Sequence, residues 1–205
     1  AAQKRRHQIP TTGRLLPTGR VRDRVHVASL GREVEVSIVD VGTICVFIRA
    51  EDLGLTGAEL PGAFDPRHFA AAEEIRQAAA ASCGLQSAGA KSITPFQIVV
   101  GPPRDHAALT GPVKAGEIDF VARQLNGDGW VHKAFSGGAS TCTAVAAQIA
   151  GTSSTSAARS TPRRAACESA TRAGCCRSTR RSNPLAAKAP AGSCEKCTSR
   201  APCGD

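Results

Sequence analysis

The chain has 205 residues, 41% of them hydrophobic, which is enough for one ordinary domain or two small ones. It contains no run of about 18 apolar residues and opens on basic residues, so the sequence gives no sign of a membrane span or a secretion signal and we expect a cytoplasmic protein. The net charge of +9 raises the possibility of nucleic-acid binding, which depends on where the charges lie.

The basic charge is confined to the two ends of the chain. Residues 15–152 carry 12 Lys and Arg against 14 Asp and Glu, whereas 153–205 carry ten against three. All six Phe and Trp130 precede residue 153, and six of the nine Cys follow it. We therefore divide the chain into a basic leader, 1–14, expected to be disordered, a core segment, 15–152, and a tail, 153–205. The tail is rich in Ala, Ser, Arg and Cys and has too few apolar residues to fold alone.

The core segment contains several predicted strands. Residues 33–38 alternate polar and apolar side chains, as in a half-buried strand. After a turn at 41–43, the apolar run 45–48 is typical of a strand buried on both faces. Residues 96–100 predict a further strand, while 117–125 fit a strand or a helix equally well.

Two helices are predicted in the same segment. Asp65 and Pro66 supply an N-cap acceptor and a first-turn proline, and apolar residues recur at helical spacing up to Ser82. A second helix opens at Ser136-Gly137-Gly138 and is expected to end near Gly151. Its apolar stripe contains Ala139, Cys142, Val145, Ala146 and Ile149. The fold class is therefore α+β, and Cys142, Cys45 and Cys83 are expected in the core.

Four stretches of the core segment carry recognisable motifs. They are Gly-Arg-Leu-Leu-Pro-Thr-Gly at 13–19, Phe-Ile-Arg-Ala-Glu-Asp-Leu-Gly-Leu-Thr-Gly-Ala-Glu-Leu at 47–60, a strand and proline turn at 94–103, and residues 132–152. These stretches resemble the PrpF family, which includes 2-methylaconitate cis-trans isomerase and 4-oxalomesaconate tautomerase. The second stretch is long enough to be a specific signal.

The resemblance implies a diaminopimelate-epimerase-like fold of two similar α+β halves. Each half has a curved sheet around a central helix, and the substrate lies in the cleft between them. The chain looks like the second half only, so its expected partner is a missing N-terminal half. The implied reaction is a cofactor-independent proton shift in an unsaturated, methylaconitate-like tricarboxylate. The family's base and its partner, a Lys and a Cys, belong to the first half. We therefore assign no catalytic residue and expect the chain as written to be inactive.

The glycine-opened helix is the candidate substrate site. Open backbone N–H groups and the helix dipole at such an end favour carboxylates. Ser136 falls where related epimerases place their second catalytic cysteine, and an unactivated hydroxyl is a poor acid or base, which favours one-base proton transfer. His132 and Lys133 match a family segment just before the helix, so the resemblance implies that one of them offers charge to a substrate carboxylate. The alternative, a structural histidine at a strand end and a solvated lysine, stays equally open. The predicted substrate-binding residues are His132, Lys133, Ser136, Gly137, Gly138, Ala139, Ser140 and Thr141.

A one-base shift of the reading frame near 151–153 would account for the unusual tail. Back-translated and read one base earlier, residues 167–177 permit Val-Arg-Ile-Gly-His-Pro-Ser-Gly-Val-Leu-Pro, which restores a family motif. In the same frame 153–155 permit Val-Val-Asn, and 193–200 permit the strand-like Val-Val-Arg-Glu-Val-Tyr-Val-Ser. Our hypothesis is that 153–205 is an out-of-frame translation of GC-rich DNA.

The alternative is a basic binding protein whose Cys- and Arg-rich tail binds zinc or nucleic acid. Cys194-Glu195-Lys196-Cys197 has the spacing of a zinc knuckle, and Cys175-Cys176 and Cys203 offer further thiolates. A second properly spaced pair is missing, and the Arg pairs 163–164 and 180–181 have no aromatic neighbours to stack on bases. We therefore expect no metal site, no cofactor, no specific nucleic-acid partner and no membrane partner.

Overall fold

The structure is a computed structural model that describes residues 11–85, 93–108, 111–157 and 175–176. Its fold is mixed α+β, as the sequence predicted. Most of the predicted leader, 1–10, lies outside the described residues. Within the described ranges, no helix is both long and apolar enough to cross a membrane.

A main sheet dominates the described fold. The described strands are β1 (Asp23–Val27), β2 (Arg32–Asp40), β3 (Ile44–Arg49), β4 (Phe96–Gly101), β5 (His106–Ala108), β6 (Gly111–Val113), β7 (Phe120–Asn126), β8 (Trp130–Val131) and β9 (Cys175–Cys176). In the main sheet they follow the order β1-β2-β3-β4-β7-β8, and β9 also pairs with β7, while β5 and β6 form a separate hairpin. Strands β3 and β4 are parallel, and the other paired strands are antiparallel.

Three α-helices accompany the sheet in the described chain: α1 (Pro66–Ser82), α2 (Gly137–Ala146) and α3 (Ser153–Ala157). The predicted start of α1 is confirmed, because the Asp65 side chain accepts hydrogen bonds from the backbone N–H groups of Arg67 and His68. Pro66, at the first position of this helix, removes no helical hydrogen bond, because an N–H group in the first turn has no partner within the helix.

Both faces of the main sheet are buried. Alternate side chains of β3 point to opposite sides: Val46 and Ile48 pack in the cluster that contains α1, whereas Cys45 and Phe47 pack in the cluster that contains α2. The structure therefore confirms that the continuous apolar run 45–48 is a strand buried on both faces. It also fixes α2, which carries the candidate site, on the face opposite α1.

Some elements differ from the sequence-based expectation. The ambiguous segment 117–125 is strand β7, and α2 ends at Ala146 rather than near Gly151. The early end has a local cause, because the Thr152 hydroxyl donates to the carbonyl oxygens of Ala146, at 2.8 Å, and Ile149, at 3.1 Å. A hydroxyl in this position satisfies carbonyls that a longer helix would have to bond itself.

Two pieces of the predicted tail belong to the described fold. In α3, Ser153 and Ser154 are buried, and the backbone of β9 pairs with β7 at Phe120 and Val121. The zinc-knuckle spacing at 194–197, Cys203 and both Arg pairs lie outside the described residues. The zinc and nucleic-acid alternative therefore stays untested.

Candidate functional site

The N-terminus of α2 has the open geometry predicted from its glycines. Ser136 is the N-cap: its hydroxyl accepts the N–H of Ala139 at 3.4 Å, and its carbonyl accepts the N–H of Ser140 at 2.9 Å. Within the described part of the chain, the N–H groups of Gly137 and Gly138 have no hydrogen-bond acceptor. These two N–H groups are therefore the donors available to an anion.

The other predicted residues of the helix end have different roles. The Ala139 side chain is buried in the core, and Thr141 donates its hydroxyl to the Gly137 carbonyl at 3.1 Å. The Ser140 hydroxyl is buried and has no acceptor or donor among the described residues. The structure therefore groups all five predicted residues of the helix end, 137–141, but leaves open backbone donors at Gly137 and Gly138.

The turn between β2 and β3 packs directly against this helix end. A Cβ atom added to Gly138 would lie 2.4 Å from Thr43 Oγ1, so the helix backbone and the turn are in close contact. The turn is held by Asp40, whose carboxylate accepts the N–H of Gly42 at 3.0 Å and the hydroxyl of Thr12 at 2.8 Å. Thr43 is therefore part of the helix-end surroundings, although no local sequence signal predicted it.

His132 and Lys133 lie in the loop that connects β8 to α2. His132 is partly buried, and its ring packs on the Trp130 ring with centroids 4.4 Å apart. Burial lowers the pKa of His132, because it disfavours the charged imidazolium. Lys133 is exposed. Lys133 is therefore the positive charge that this loop offers at neutral pH.

A cavity of about 170 Å³ opens beside the same loop. His132, Lys133 and Phe135 contribute to its wall, and Leu60 and Ala108 contribute from distant parts of the chain. The lining is mostly apolar but includes two cations, Lys133 and Arg123, which suits a small anion that has a hydrocarbon part. The loop residues could be predicted from the local sequence, whereas the distant ones carry no local signal.

The described thiols are part of the packing, as predicted. Cys45 and Cys142 are fully buried, and the Cys142 thiol donates to the Val39 carbonyl at 3.3 Å. A hydrogen bond with Cys142 and burial both raise the pKa of Cys45, and burial raises the pKa of Cys83 to about 11. Such thiols are poor nucleophiles at neutral pH. Among the described residues, no group of three or more His, Cys, Asp or Glu is placed to hold a metal ion.

These features define an α+β domain in which one loop, 132–136, carries an exposed lysine, borders a small cavity and leads into a helix N-terminus. Comparison with known proteins gives the relationship directly. The chain belongs to the PrpF family, whose model, described as PrpF protein, matches residues 7–181. The match confirms the resemblance seen in the sequence and extends beyond residue 152, where the recognised motifs end.

Individual relatives agree with this assignment. The chain is 37% identical over 150 residues to 3-methylitaconate isomerase of Eubacterium barkeri. The alignment covers 69% of this chain and 39% of the relative. The chain is 35% identical over 147 residues to 2-methyl-aconitate isomerase of Shewanella oneidensis, covering 68% of this chain and 36% of the relative. A crystal structure of methylitaconate-delta-isomerase superposes with a TM-score of 0.67 at 30% identity, covering 74% of this chain and 41% of that one. The chain thus spans about two fifths of the length of these relatives.

Proposed function

We propose that this chain is the carboxylate-holding part of a PrpF-type isomerase that moves a proton in an unsaturated, methylaconitate-like tricarboxylate. The observation that carries the proposal is the pair of open N–H groups at Gly137 and Gly138, at the start of a helix whose N-cap is already satisfied. An anion gains both from such donors and from the helix dipole. The names of the relatives give the broader substrate class, unsaturated di- and tricarboxylates: one is a methylitaconate isomerase and the other a methyl-aconitate isomerase, whose name points to the tricarboxylate.

The same arrangement suits the chemistry of a proton shift next to a double bond. Removal of a proton there places negative charge on the neighbouring carboxylate, and donors already aimed at that carboxylate stabilise the charge without reorganising. Lys133 adds a positive charge on the loop before the helix. This part of the reaction requires only residues that the chain contains.

The removal of the proton is proposed to depend on residues outside this chain. The family resemblance assigns the base to the other half of the fold, and neither Ser136, whose hydroxyl caps α2, nor a buried thiol is suited to the task. The finer proposal is that the 205-residue chain binds a substrate carboxylate but does not complete turnover. Measured isomerisation of an aconitate-type substrate by the purified chain would contradict it.

Ligand binding by the chain itself tests the site. We would titrate the chain with tricarballylate, a saturated tricarboxylate that cannot react, and measure the heat of binding. Lys133→Gln is expected to weaken binding by about tenfold, since a charge-assisted contact is lost. Lys114→Gln is the matched control, because Lys114 is also exposed but pairs with Asp105 at 2.9 Å in the β5–β6 region. Equal effects of the two variants would count against the site.

A further inference from the structure

We propose that Gln124 is a positioning residue for this site. It fixes the loop 132–136, and through that loop it sets the direction of the open N–H groups of α2. The inference rests on the proposed function, because it assigns Gln124 a part in holding the carboxylate donors in place. Gln124 lies within β7, twelve residues before the N-cap in the chain.

Two hydrogen bonds connect Gln124 to the two ends of the loop. Its side-chain Oε1 accepts the N–H of Ser136 at 3.0 Å. Its backbone carbonyl accepts the N–H of His132 at 2.9 Å. One strand residue therefore holds both the first residue of the loop and the residue that caps the helix.

The side chain of Gln124 is polar in an otherwise apolar row. Phe120 and Ala122, which alternate with it along β7, are buried in the cluster that contains α2, and Gln124 itself is only 1% exposed. A buried amide is costly unless it is hydrogen-bonded, so an apolar residue would serve packing at least as well. The bond to Ser136 satisfies the oxygen of this amide, and Gln124 also lines the cavity beside the loop, so the amide-exchange readout at Ser136 is the one that isolates the hydrogen bond.

The contact to Ser136 matters for the direction of the helix end. The N–H of an N-cap residue takes no part in the hydrogen bonds of its own helix, so its orientation depends on an outside acceptor. Gln124 provides that acceptor, and the next two N–H groups, those of Gly137 and Gly138, are the open donors. Removing the acceptor takes away the one bond that holds the Ser136 N–H from outside the helix, which loosens the N-cap and with it the direction of the donors.

The test compares Gln124→Leu with a matched variant, Gln97→Leu. Gln97 is also a buried glutamine in the neighbouring strand β4, and its side chain donates to Glu73 at 3.0 Å on the other side of the sheet. Both variants remove a buried amide and one hydrogen bond, but only the first contacts the loop. Gln124→Asn, which shortens the amide by one methylene, serves if the leucine variant does not fold.

Three measurements on the full chain decide the role. In Gln124→Leu we expect amide exchange at Ser136 to be about tenfold faster, and affinity for tricarballylate to fall about fivefold. We also expect the ring titration of His132 to move back toward its ordinary range, because the looser loop exposes the ring. Gln97→Leu is expected to change none of the three.

Unchanged Ser136 exchange and His132 titration in Gln124→Leu would overturn the inference, as would equal changes in Gln97→Leu. Exchange and titration are measured without ligand, so they decide the role of Gln124 in holding the loop. Failure of the unaltered chain to bind tricarballylate would instead count against the proposed function, which keeps the two failures apart.

Discussion

Thr43 occupies the space in which a side chain at position 138 would begin. A Cβ on Gly138 would lie 2.4 Å from Thr43 Oγ1 and 3.1 Å from Thr43 Cβ. Real Cβ atoms essentially never show the first distance and rarely the second, and Thr43 is a short β-branched residue with a restricted χ1 angle. The glycine is therefore required by the contact between the helix end and the β2–β3 turn.

This contact predicts the outcome of two alanine substitutions. Gly138→Ala is expected to lower the free energy of unfolding by about 1–3 kcal/mol, because overpacking forces the turn and the helix end apart. Gly137→Ala has nothing within 4 Å of the added Cβ and is expected to be neutral or slightly stabilising. Urea unfolding followed by circular dichroism measures both.

The contact partner can be tested by a double-mutant cycle. Thr43→Ala removes the hydroxyl, which is the nearest atom, so it is expected to recover part of the stability lost in Gly138→Ala. Strictly additive effects of the two substitutions would show that the clash with Thr43 is not the cause.

A buried hydroxyl in α3 gives a second stability prediction. Ser154 is fully buried, and within the described residues its hydroxyl has no hydrogen-bond partner. Such a group costs about 1–3 kcal/mol, so Ser154→Val is expected to raise the free energy of unfolding by about 1 kcal/mol. Ser156 is exposed and bonds to Arg22, so Ser156→Val serves as the control and should bring no gain. A lower free energy of unfolding in Ser154→Val than in the unaltered chain would contradict the prediction.

The buried Ser153 and Ser154 and the strand at 175–176 also bear on the origin of the tail. In the shifted frame, 153–154 read Val-Val and 175–176 read Val-Leu, apolar pairs typical of buried or strand positions. The structure buries Ser153 and Ser154 and pairs the backbone of 175–176 with β7. We expect the coding DNA to restore Gly-His-Pro-Ser-Gly at 170–174 by one inserted or deleted base near 151–153. An uninterrupted frame confirmed by resequencing would make the tail genuine and the frame hypothesis wrong.

His132 predicts a pH dependence of stability with a defined sign. Burial lowers its pKa in the folded chain, so the unfolded chain binds more protons over the interval between the lowered value and about 6.5. Stability linked to His132 is therefore complete above about pH 6.5 and is lost as the pH falls through the lowered pKa. His132→Gln is expected to flatten the stability profile in this interval. A ring titration at or above the ordinary value would refute the sign.

Local sequence signals predicted the elements on which the site is built. The N-cap at Asp65, the two-sided burial of β3 and the start of α2 at Ser136 all follow from residues close together in the chain. Thr43 and Gln124 could not be predicted in this way. Thr43 meets Gly138 across 95 residues of chain, and Gln124 lies in the segment 117–125, which fits a strand or a helix equally well until pairing places it beside the loop.

Mapping tricarballylate binding onto backbone amides shows whether the start of α2 holds a carboxylate. In ¹⁵N-labelled chain, we expect the largest chemical-shift changes on titration at Gly137 and Gly138, with smaller ones at Lys133. Amides of α1, on the opposite face of the sheet, should stay unchanged. Shifts that leave both glycines unmoved, or that cluster on α1, would contradict a carboxylate site at the start of α2.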